Sequence, residues 1–231
     1  PYEDNDLLNL ICEKRNVRFV MENCIVIKSA TKKYKEYTVL DQVSIEFERN
    51  KIHGIIGRNG CGKTMLFKCI CGFVPLTSGE IFVNTQKIGK DIDVPTNVGI
   101  LIESPGFLPN YSAYSNLKFL ASIKHKINKE TIREAISRVG LDPDSRKHVG
   151  KYSMGMRQRL GIAQAIMEDP EILILDEPMN GLDKHGVEEI RSFLRELRDA
   201  GKTIILTSHN AQDIELLCDT VHEMDAGRIT N

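Results

Sequence analysis

Eight consecutive residues have the types and spacing of a phosphate-binding loop. Gly57 to Thr64 spell Gly-Arg-Asn-Gly-Cys-Gly-Lys-Thr and fit the pattern GxxxxGK[ST]. The glycines let the backbone curl so that several N–H groups point inward at an anion. Lys63 would add a positive charge at the outer phosphates of a nucleotide, and Thr64 would offer its hydroxyl to Mg²⁺. The predicted nucleotide contacts are Gly57, Arg58, Asn59, Gly60, Cys61, Gly62, Lys63 and Thr64.

Two carboxylates follow a short apolar run later in the chain. Ile172 to Leu175 is continuously apolar, which is typical of a strand buried on both faces, and Asp176 and Glu177 come next. Asp176 would hold Mg²⁺ in the second half of a nucleotide site. Since successive residues of an extended strand point in opposite directions, Glu177 would be free to polarise an attacking water as general base. The alternative is a buried strand with a solvated acidic end.

Hydrophobic periodicity predicts the elements that must position these residues. Strand patterns alternate with helical patterns, which indicates a parallel sheet with helices on both sides. The exception is the stretch from Ser112 to Val139, where successive helical patterns indicate an inserted lobe. Predicted strands are Cys24 to Ser29, Val43 to Phe47, Lys51 to Ile56, Ile81 to Val83, Val98 to Ile102, Ile172 to Leu175 and Thr203 to Leu206, with a hairpin from Thr220 to Ile229. Predicted helices include Lys63 to Cys71, Ser153 to Met167, Val187 to Leu197 and Ala211 to Leu217.

Composition limits the classes of function. The 231 residues are 41% hydrophobic, enough for one large domain, and 31 basic against 32 acidic residues give a net charge of -1. This balance argues against a nucleic-acid partner, and the Lys32, Lys33, Lys35 run is expected to be a solvated face. The six cysteines show no metal-ligand spacing and predict free thiols in a reducing compartment.

The first 20 residues are expected to differ in status from the rest of the chain. Residue 1 is Pro, and Met21 directly precedes the first strand pattern. We expect residues 1–20 to be an extension of uncertain status and residues 21–231 to form the main domain. No stretch has the ~20 apolar residues that span a bilayer, so any membrane crossing would fall to another subunit.

Four further motifs, in order along the chain, give the sequence a family resemblance. Residues 152–160, Tyr-Ser-Met-Gly-Met-Arg-Gln-Arg-Leu, resemble the ABC signature LSGGQ and the basic, Gln-rich helix start after it. Asn180 to Asp183 resembles the D-loop, Thr207 to His209 the switch-histidine segment, and Tyr34 the aromatic residue that stacks on adenine. With the phosphate loop and the acidic strand end, they identify the chain as a member of the ABC ATPase superfamily. It looks most similar to ATP-binding subunits of bacterial drug or lantibiotic-type exporters.

The resemblance implies a fold and an assembly. The fold class is α/β, a P-loop NTPase with a mainly parallel central sheet, an N-terminal antiparallel β subdomain and an inserted helical signature subdomain at about 104–168. ATP and Mg²⁺ are the implied cofactors. Two such domains, identical or homologous, would pair head to tail with two ATP molecules between them. The residues implied to contact the partner's nucleotide are Ser153, Met154, Gly155, Met156 and Asp183.

The same resemblance assigns single residues, each with a plainer alternative. His209 would contact the γ-phosphate and hold the water and Glu177 in place, or be structural. Glu103 would reach Mg²⁺ or the water, or be a surface glutamate before a proline. Tyr34 would stack on adenine, or be a strand-edge tyrosine, and Ser153 could be an ordinary N-cap.

Two departures from the family pattern bear on activity. Glu103 stands where a glutamine is expected, and the signature runs Ser-Met-Gly-Met instead of Ser-Gly-Gly-Gln. Similar substitutions occur in the exporter group, so an active ATPase is still expected. Met154 replaces a glycine that lets the backbone approach phosphate, so a weaker signature is expected.

The resulting expectation is a transport ATPase on the cytoplasmic face of the membrane that drives a separate transmembrane permease. Phe107, Leu108 and Tyr111 would form part of the docking groove, or would close the lobe onto the sheet. One alternative is a soluble ABC ATPase acting on ribosomes or DNA. A small-molecule kinase is a third, against which the signature and His209 argue.

Overall fold

The computed structural model describes residues 22–124 and 126–230. The predicted extension 1–20 and Met21 lie outside the described residues. The strands are β1 (Asn23–Tyr34), β2 (Tyr37–Glu48), β3 (Ile52–Ile56), β4 (Ser78–Val83), β5 (Gln86–Lys87), β6 (Val98–Leu101), β7 (Ile172–Leu175), β8 (Thr203–Thr207), β9 (Thr220–Asp225) and β10 (Arg228–Ile229). The helices are α1 (Lys63–Ile70), α2 (Ala113–Lys124), α3 (Lys129–Arg138), α4 (Met154–Ile166), α5 (Lys184–Asp199) and α6 (Ala211–Leu217), with a 3₁₀ turn at Val149–Lys151.

The first sheet is antiparallel, with strand order β2-β1-β4-β5. Alternation along β2 buries Val43, Ile45 and Phe47, as the sequence predicted. β1 is longer than predicted and pairs with both β2 and β4. The solvated face expected of the lysine run is wrong at Lys32, which is buried and donates from Nζ to the Pro75 carbonyl at 2.7 Å.

The second sheet positions the candidate site. Its order is β10-β9-β3-β8-β7-β6, and the pairs β9–β3, β3–β8, β8–β7 and β7–β6 are parallel. All residues of β7 and β8 are buried, which agrees with a strand covered on both faces. Because β3, β7 and β8 are parallel neighbours, the segments that follow their carboxyl ends meet at one edge of the sheet. Those segments are the phosphate loop, the pair Asp176 and Glu177, and Ser208 with His209.

Helices α2, α3 and α4 lie in the chain between β6 and β7 and pack around an apolar core. In α3, Ile132, Ala135 and Ile136 are buried at helical spacing, and Asn128 caps the start by accepting from the Thr131 N–H at 2.9 Å. The bounds of this lobe, predicted at about 104–168, stay a prediction. The observed α/β arrangement, with an antiparallel β sheet beside a largely parallel one, confirms the predicted fold class.

Within the described ranges 22–124 and 126–230, no helix is long and apolar enough to cross a bilayer. The cysteines at positions 24, 61, 69, 71 and 218 are free thiols, as predicted. Burial raises the pKa of Cys71 to about 12 and that of Cys24 to about 11, so these two thiols stay protonated.

Candidate nucleotide site

The phosphate loop connects β3 to α1 and requires glycine where the backbone packs closely. Gly57 has φ 148°, and a Cβ there would lie 2.1 Å from the carbonyl oxygen of Met224 in β9. Gly62 has φ 114°, and a Cβ there would lie 2.9 Å from the carbonyl oxygen of Val39 in β2. A side chain at either position would push the loop away from the sheets. The curled backbone therefore requires the glycines that the sequence pattern contains.

Lys63 and Thr64 open α1 and point into the site. Lys63 is buried, and its Nζ donates to the carbonyls of Gly57 at 2.7 Å and Arg58 at 3.1 Å. The loop's own carbonyls thus hold the cation inside the curl, beside the free N–H groups of a helix start. The Thr64 hydroxyl donates to Asp176 Oδ2 at 2.7 Å, which joins two of the three predicted metal ligands directly.

Thr207, at the end of β8, ties the two carboxylate residues together. Its buried hydroxyl donates to Asp176 Oδ1 at 2.7 Å and accepts from the Glu177 N–H at 2.9 Å. One hydroxyl therefore fixes both residues at the end of β7. Thr207 was expected only as part of the switch motif, and its contact with both carboxylate residues was not predicted.

Glu177 does not obey the alternation that the sequence analysis assumed. Its φ is 51°, in the left-handed region, so the chain stops being extended at this residue. The expectation that its side chain would point away from that of Asp176 is therefore wrong, and both line the same cavity. A strained backbone at a polar residue is a common feature of functional sites.

The Glu177 carboxylate meets His209 across the sheet edge. Oε2 accepts from the His209 backbone N–H at 3.2 Å, and the ring Nε2 lies 3.1 Å from Oε1. The contact between the His209 ring and Glu177 Oε1 has the distance of an ion pair but not the geometry of a hydrogen bond. Among the described residues, the buried Glu177 Oε1 therefore has no hydrogen-bond donor. Burial raises the pKa of Glu177, and the nearby His209 partly opposes that rise. An under-satisfied carboxylate with a raised pKa suits a general base.

A cavity of about 270 Å³ gathers most of these groups. Its lining residues are Val39, Asn59, Gly60, Gly62, Lys63, Thr64, Met65, Asp176, Glu177 and His209. The phosphate loop, the acidic strand end and the switch histidine, predicted separately, are thus brought together. Val39 and Met65 were not predicted as site residues.

Glu103 faces a neighbouring cavity of about 260 Å³ that shares Asp176 and Glu177 with the first. Its carboxylate forms an ion pair with Lys68 of α1 at 2.6 Å, and its side chain is 61% exposed. Its φ of 58° turns the chain just after β6. The reach of Glu103 to a metal or water stays a prediction.

The signature segment packs against the D-loop of the same chain. Ser153 caps α4 by accepting from the Met156 N–H at 3.2 Å, so the N-cap alternative holds in this chain. Met154 is 53% exposed and its side chain covers Gly181, where a Cβ would lie 2.6 Å from Met154 Cγ. Asp183 caps α5 by accepting from the Gly186 N–H at 2.8 Å. Contacts of Ser153, Met154, Gly155, Met156 and Asp183 with a second nucleotide stay predictions.

Tyr34 lies at the end of β1, paired with Tyr37 across the turn. Its ring is 49% exposed and has Lys32 Nζ 4.8 Å from its centroid. Among the described residues that line the first cavity, Val39 comes from the adjacent strand and Tyr34 is not included. Stacking of Tyr34 on adenine stays a prediction.

Gln158, on the signature helix α4, is a further contact that the sequence analysis missed. Its Nε2 donates to the Glu177 carbonyl at 2.9 Å. The signal was present in the motif, since Gln158 belongs to the basic, Gln-rich helix start that follows the signature. Gln158 links the inserted lobe to the residue proposed as base.

The oxygen ligands of a bound Mg²⁺ would come in part from the protein and in part from the phosphates of the nucleotide. Thr64 and Asp176 offer hard oxygen ligands in direct contact. In the described ranges no group of three or more His, Cys, Asp or Glu residues could hold a metal alone. Mg²⁺ usually takes one or two protein carboxylates and completes its shell with nucleotide phosphates and water.

Comparisons with known proteins agree with this geometry. The sequence profile described as ABC transporter matches residues 40–180. The chain is 45% identical to the uncharacterized ABC transporter ATP-binding protein YybJ of Bacillus subtilis, over 89% of this chain and 94% of that protein. It is 41% identical to the bacitracin transport ATP-binding protein BcrA of Enterococcus faecalis, over 91% of this chain and 69% of that protein.

A solved dimer of an ATP-binding cassette, bound to ADP and Pi in a post-hydrolysis state, superposes with a TM-score of 0.81. The superposition covers 90% of this chain and 97% of the solved chain. Because the two sequences are only 21% identical, this similarity is evidence for the fold alone. The assignment to a family rests on the profile match and on the relatives above 40% identity. This chain therefore belongs to the ABC transporter family and is an ATP-binding ATPase subunit of that family.

Proposed function

We propose that this chain drives a separate transmembrane permease from the cytoplasmic face of the membrane, exporting a drug, peptide or lantibiotic. The observation that carries the ATPase part is the single cavity shared by Lys63, Thr64, Asp176, Glu177 and His209. These residues are the ones a nucleotide-hydrolysing site needs, and they come from three separate segments of the chain.

Each side chain has a role in hydrolysis. Lys63 and the loop N–H groups bind and neutralise the outer phosphates. Thr64 and Asp176 hold Mg²⁺, which when bound offsets the charge on the phosphates. Glu177 takes the proton from the attacking water, a contribution of roughly 10²- to 10⁴-fold in rate. His209 holds the Glu177 carboxylate through its backbone N–H and places its ring beside it.

We propose a head-to-tail dimer as the hydrolysing form, with itself or a homologous subunit. The signature residues Ser153 and Gly155 do not line the cavity that contains Lys63. A hydroxyl and free N–H groups at the start of α4 form an anion site that would serve a nucleotide held by another copy. The solved cassette with the same fold is a dimer, which supports this arrangement.

The permease would dock on the inserted lobe. Leu108 is 48% exposed and Tyr111 46% exposed, and the Tyr111 ring packs edge-on against Phe119 with centroids 5.1 Å apart. Phe107 packs against the apolar core instead, so of the three residues first named only two offer a surface. An adjoining cavity of about 450 Å³, lined in part by Leu120 and Ile123, extends the apolar face.

Export of a peptide-like compound is supported by the relative named for bacitracin transport. The proposal is tested by purifying tagged chain from solubilised membranes and identifying what comes with it. Tyr111→Asp should release an integral membrane protein that the wild-type chain retains, because a charge in an apolar interface costs binding energy. Leu216→Asp is the matched control, since Leu216 is 48% exposed, close to the 46% of Tyr111, but lies on α6. Recovery of ribosomes or DNA with no membrane protein would contradict the transport role.

A further inference from the structure

A buried ion pair joins α5 and α6 behind the nucleotide site. The side chains of Arg191 and Asp213 are 2% and 3% exposed. Arg191 Nε donates to Asp213 Oδ1 at 3.0 Å, and Nη2 donates to the same oxygen. Arg191 Nη1 also donates to Glu188 Oε1, one turn earlier on α5, at 2.5 Å. The roles proposed above for the nucleotide site use none of these groups.

The second oxygen of Asp213 holds the residues on both sides of His209. Asp213 Oδ2 accepts from the Ser208 hydroxyl at 2.6 Å. Ser208 Oγ in turn accepts from the Asn210 N–H at 3.1 Å. The backbone of His209 is therefore fixed before and after the residue, and it is this backbone that donates to Glu177.

A role in stability alone does not explain this arrangement well. Two buried charges cost about as much in desolvation as their attraction returns, so a buried pair is weak evidence for stability and stronger evidence for a fixed geometry. A simple tie between helices would need the Arg191–Asp213 contact only. Here the remaining oxygen of Asp213 is used on the segment that carries the switch histidine.

We propose that Asp213 is a positioning residue for ATP hydrolysis: through Ser208 it holds His209 against Glu177, and through Arg191 it joins this contact to α5. Helix α5 begins after Asp183, the last residue of the D-loop. The network thus connects the switch segment to the D-loop helix. The inference rests on the proposed roles of Glu177 and His209.

The variant Ser208→Ala tests the link without removing a charge. It leaves Arg191 and Asp213 paired but removes the hydroxyl between Asp213 and the Asn210 N–H. We expect kcat to fall on the order of tenfold with KM for ATP unchanged, because a small misplacement of a catalytic group costs up to ~100-fold in rate. Ser122→Ala is the matched control, since the Ser122 hydroxyl donates to the Phe119 carbonyl of its own helix at 2.6 Å.

The split between kcat and KM separates positioning from a purely structural role. The Ser208 hydroxyl bonds to Asp213 and to the Asn210 N–H, and not to the phosphate loop, so its loss should lower kcat and leave KM for ATP unchanged. A purely structural contact would lower the melting temperature of Ser208→Ala and leave kcat where it is. That result would overturn the inference.

The double variant Arg191→Leu/Asp213→Leu removes both charges together, so no buried charge is left unpaired. It should fold and show the same fall in kcat as Ser208→Ala. Wild-type kcat in both Ser208→Ala and the double variant would refute the positioning role; if the double variant does not fold, Ser208→Ala decides alone. Glu177→Gln and His209→Ala separate failure of this inference from failure of the proposed function. If these two variants retain wild-type turnover, the proposed function fails. If they abolish turnover while Ser208→Ala is normal, only the present inference fails.

Discussion

The substitution Thr207→Val removes the hydroxyl that ties Asp176 to Glu177 while keeping a branched side chain of similar shape. Thr207 is fully buried, and the lost contacts are the bond to Asp176 Oδ1 at 2.7 Å and the bond from the Glu177 N–H at 2.9 Å. Asp176 would keep its bond from Thr64. The Glu177 N–H would lose its partner at the edge of the sheet.

The size of the effect follows from these two bonds. A hydrogen bond to a charged group contributes roughly 1.5–3 kcal/mol, and a donor left without a partner costs roughly 1–3 kcal/mol. Because Asp176 is only half-buried and keeps Thr64, we expect the lower part of the summed range, about 3 kcal/mol. For a domain of this size that corresponds to a fall in melting temperature of ~6–12 °C.

The assay is thermal unfolding followed by circular dichroism, with Thr207→Ser as the matched control. The serine keeps the hydroxyl and loses one methyl group, at a cost of about 1 kcal/mol and ~2–4 °C. We also expect Thr207→Val to need more Mg²⁺ for half-maximal hydrolysis, since Asp176 is less firmly held. Equal melting temperatures for the two variants would refute the role assigned to this hydroxyl.

Three further predictions concern the same site. Lys63→Ala should weaken ATP binding by roughly 10- to 100-fold in calorimetry, because one charge-assisted contact to phosphate is lost, whereas Lys68→Ala, on the same helix but paired with Glu103, should bind normally. The raised pKa of Glu177 predicts that kcat falls as pH drops through that pKa, with its acidic limb above the usual range of a glutamate; a limb in the ordinary range would count against the base assignment. Met154→Gly should let a dimer form at lower ATP concentration in sedimentation, because the side chain that covers Gly181 is gone, and an unchanged threshold would show that Met154 does not weaken the signature.

The sequence predicted elements well where local chemistry decides them. The bounds of β7 and α6 agree with the prediction, since an apolar run ending in charge and a helix following an Asn cap are local signals. β1 was predicted five residues too short at its end, where the lysines give no apolar alternation. That end is held by pairing with Thr38 and Leu40 of β2, which a single-strand pattern does not reveal.

The sequence motifs predicted which residues form the site. They did not predict the hydrogen bonds and ion pairs that connect those residues. Which strands are neighbours is a long-range property, so the contact between Thr207 and Asp176, 31 residues apart, left no local signal. Arg191 lies on an amphipathic helix where a charge predicts a solvent-facing position, yet it is buried with Asp213. The left-handed backbone at Glu177 also contradicts the alternation expected of a strand end.

The central claim is that Glu177 is the general base of an ATP site completed by a second subunit. Its most direct test is Glu177→Gln, measured for phosphate release and, by light scattering after size exclusion, for mass with Mg²⁺-ATP. We predict a fall in turnover of at least ~100-fold with ATP binding retained, and an ATP-dependent dimer of the 26.1 kDa chain. Hydrolysis at the wild-type rate, or a monomer at saturating ATP, would contradict it.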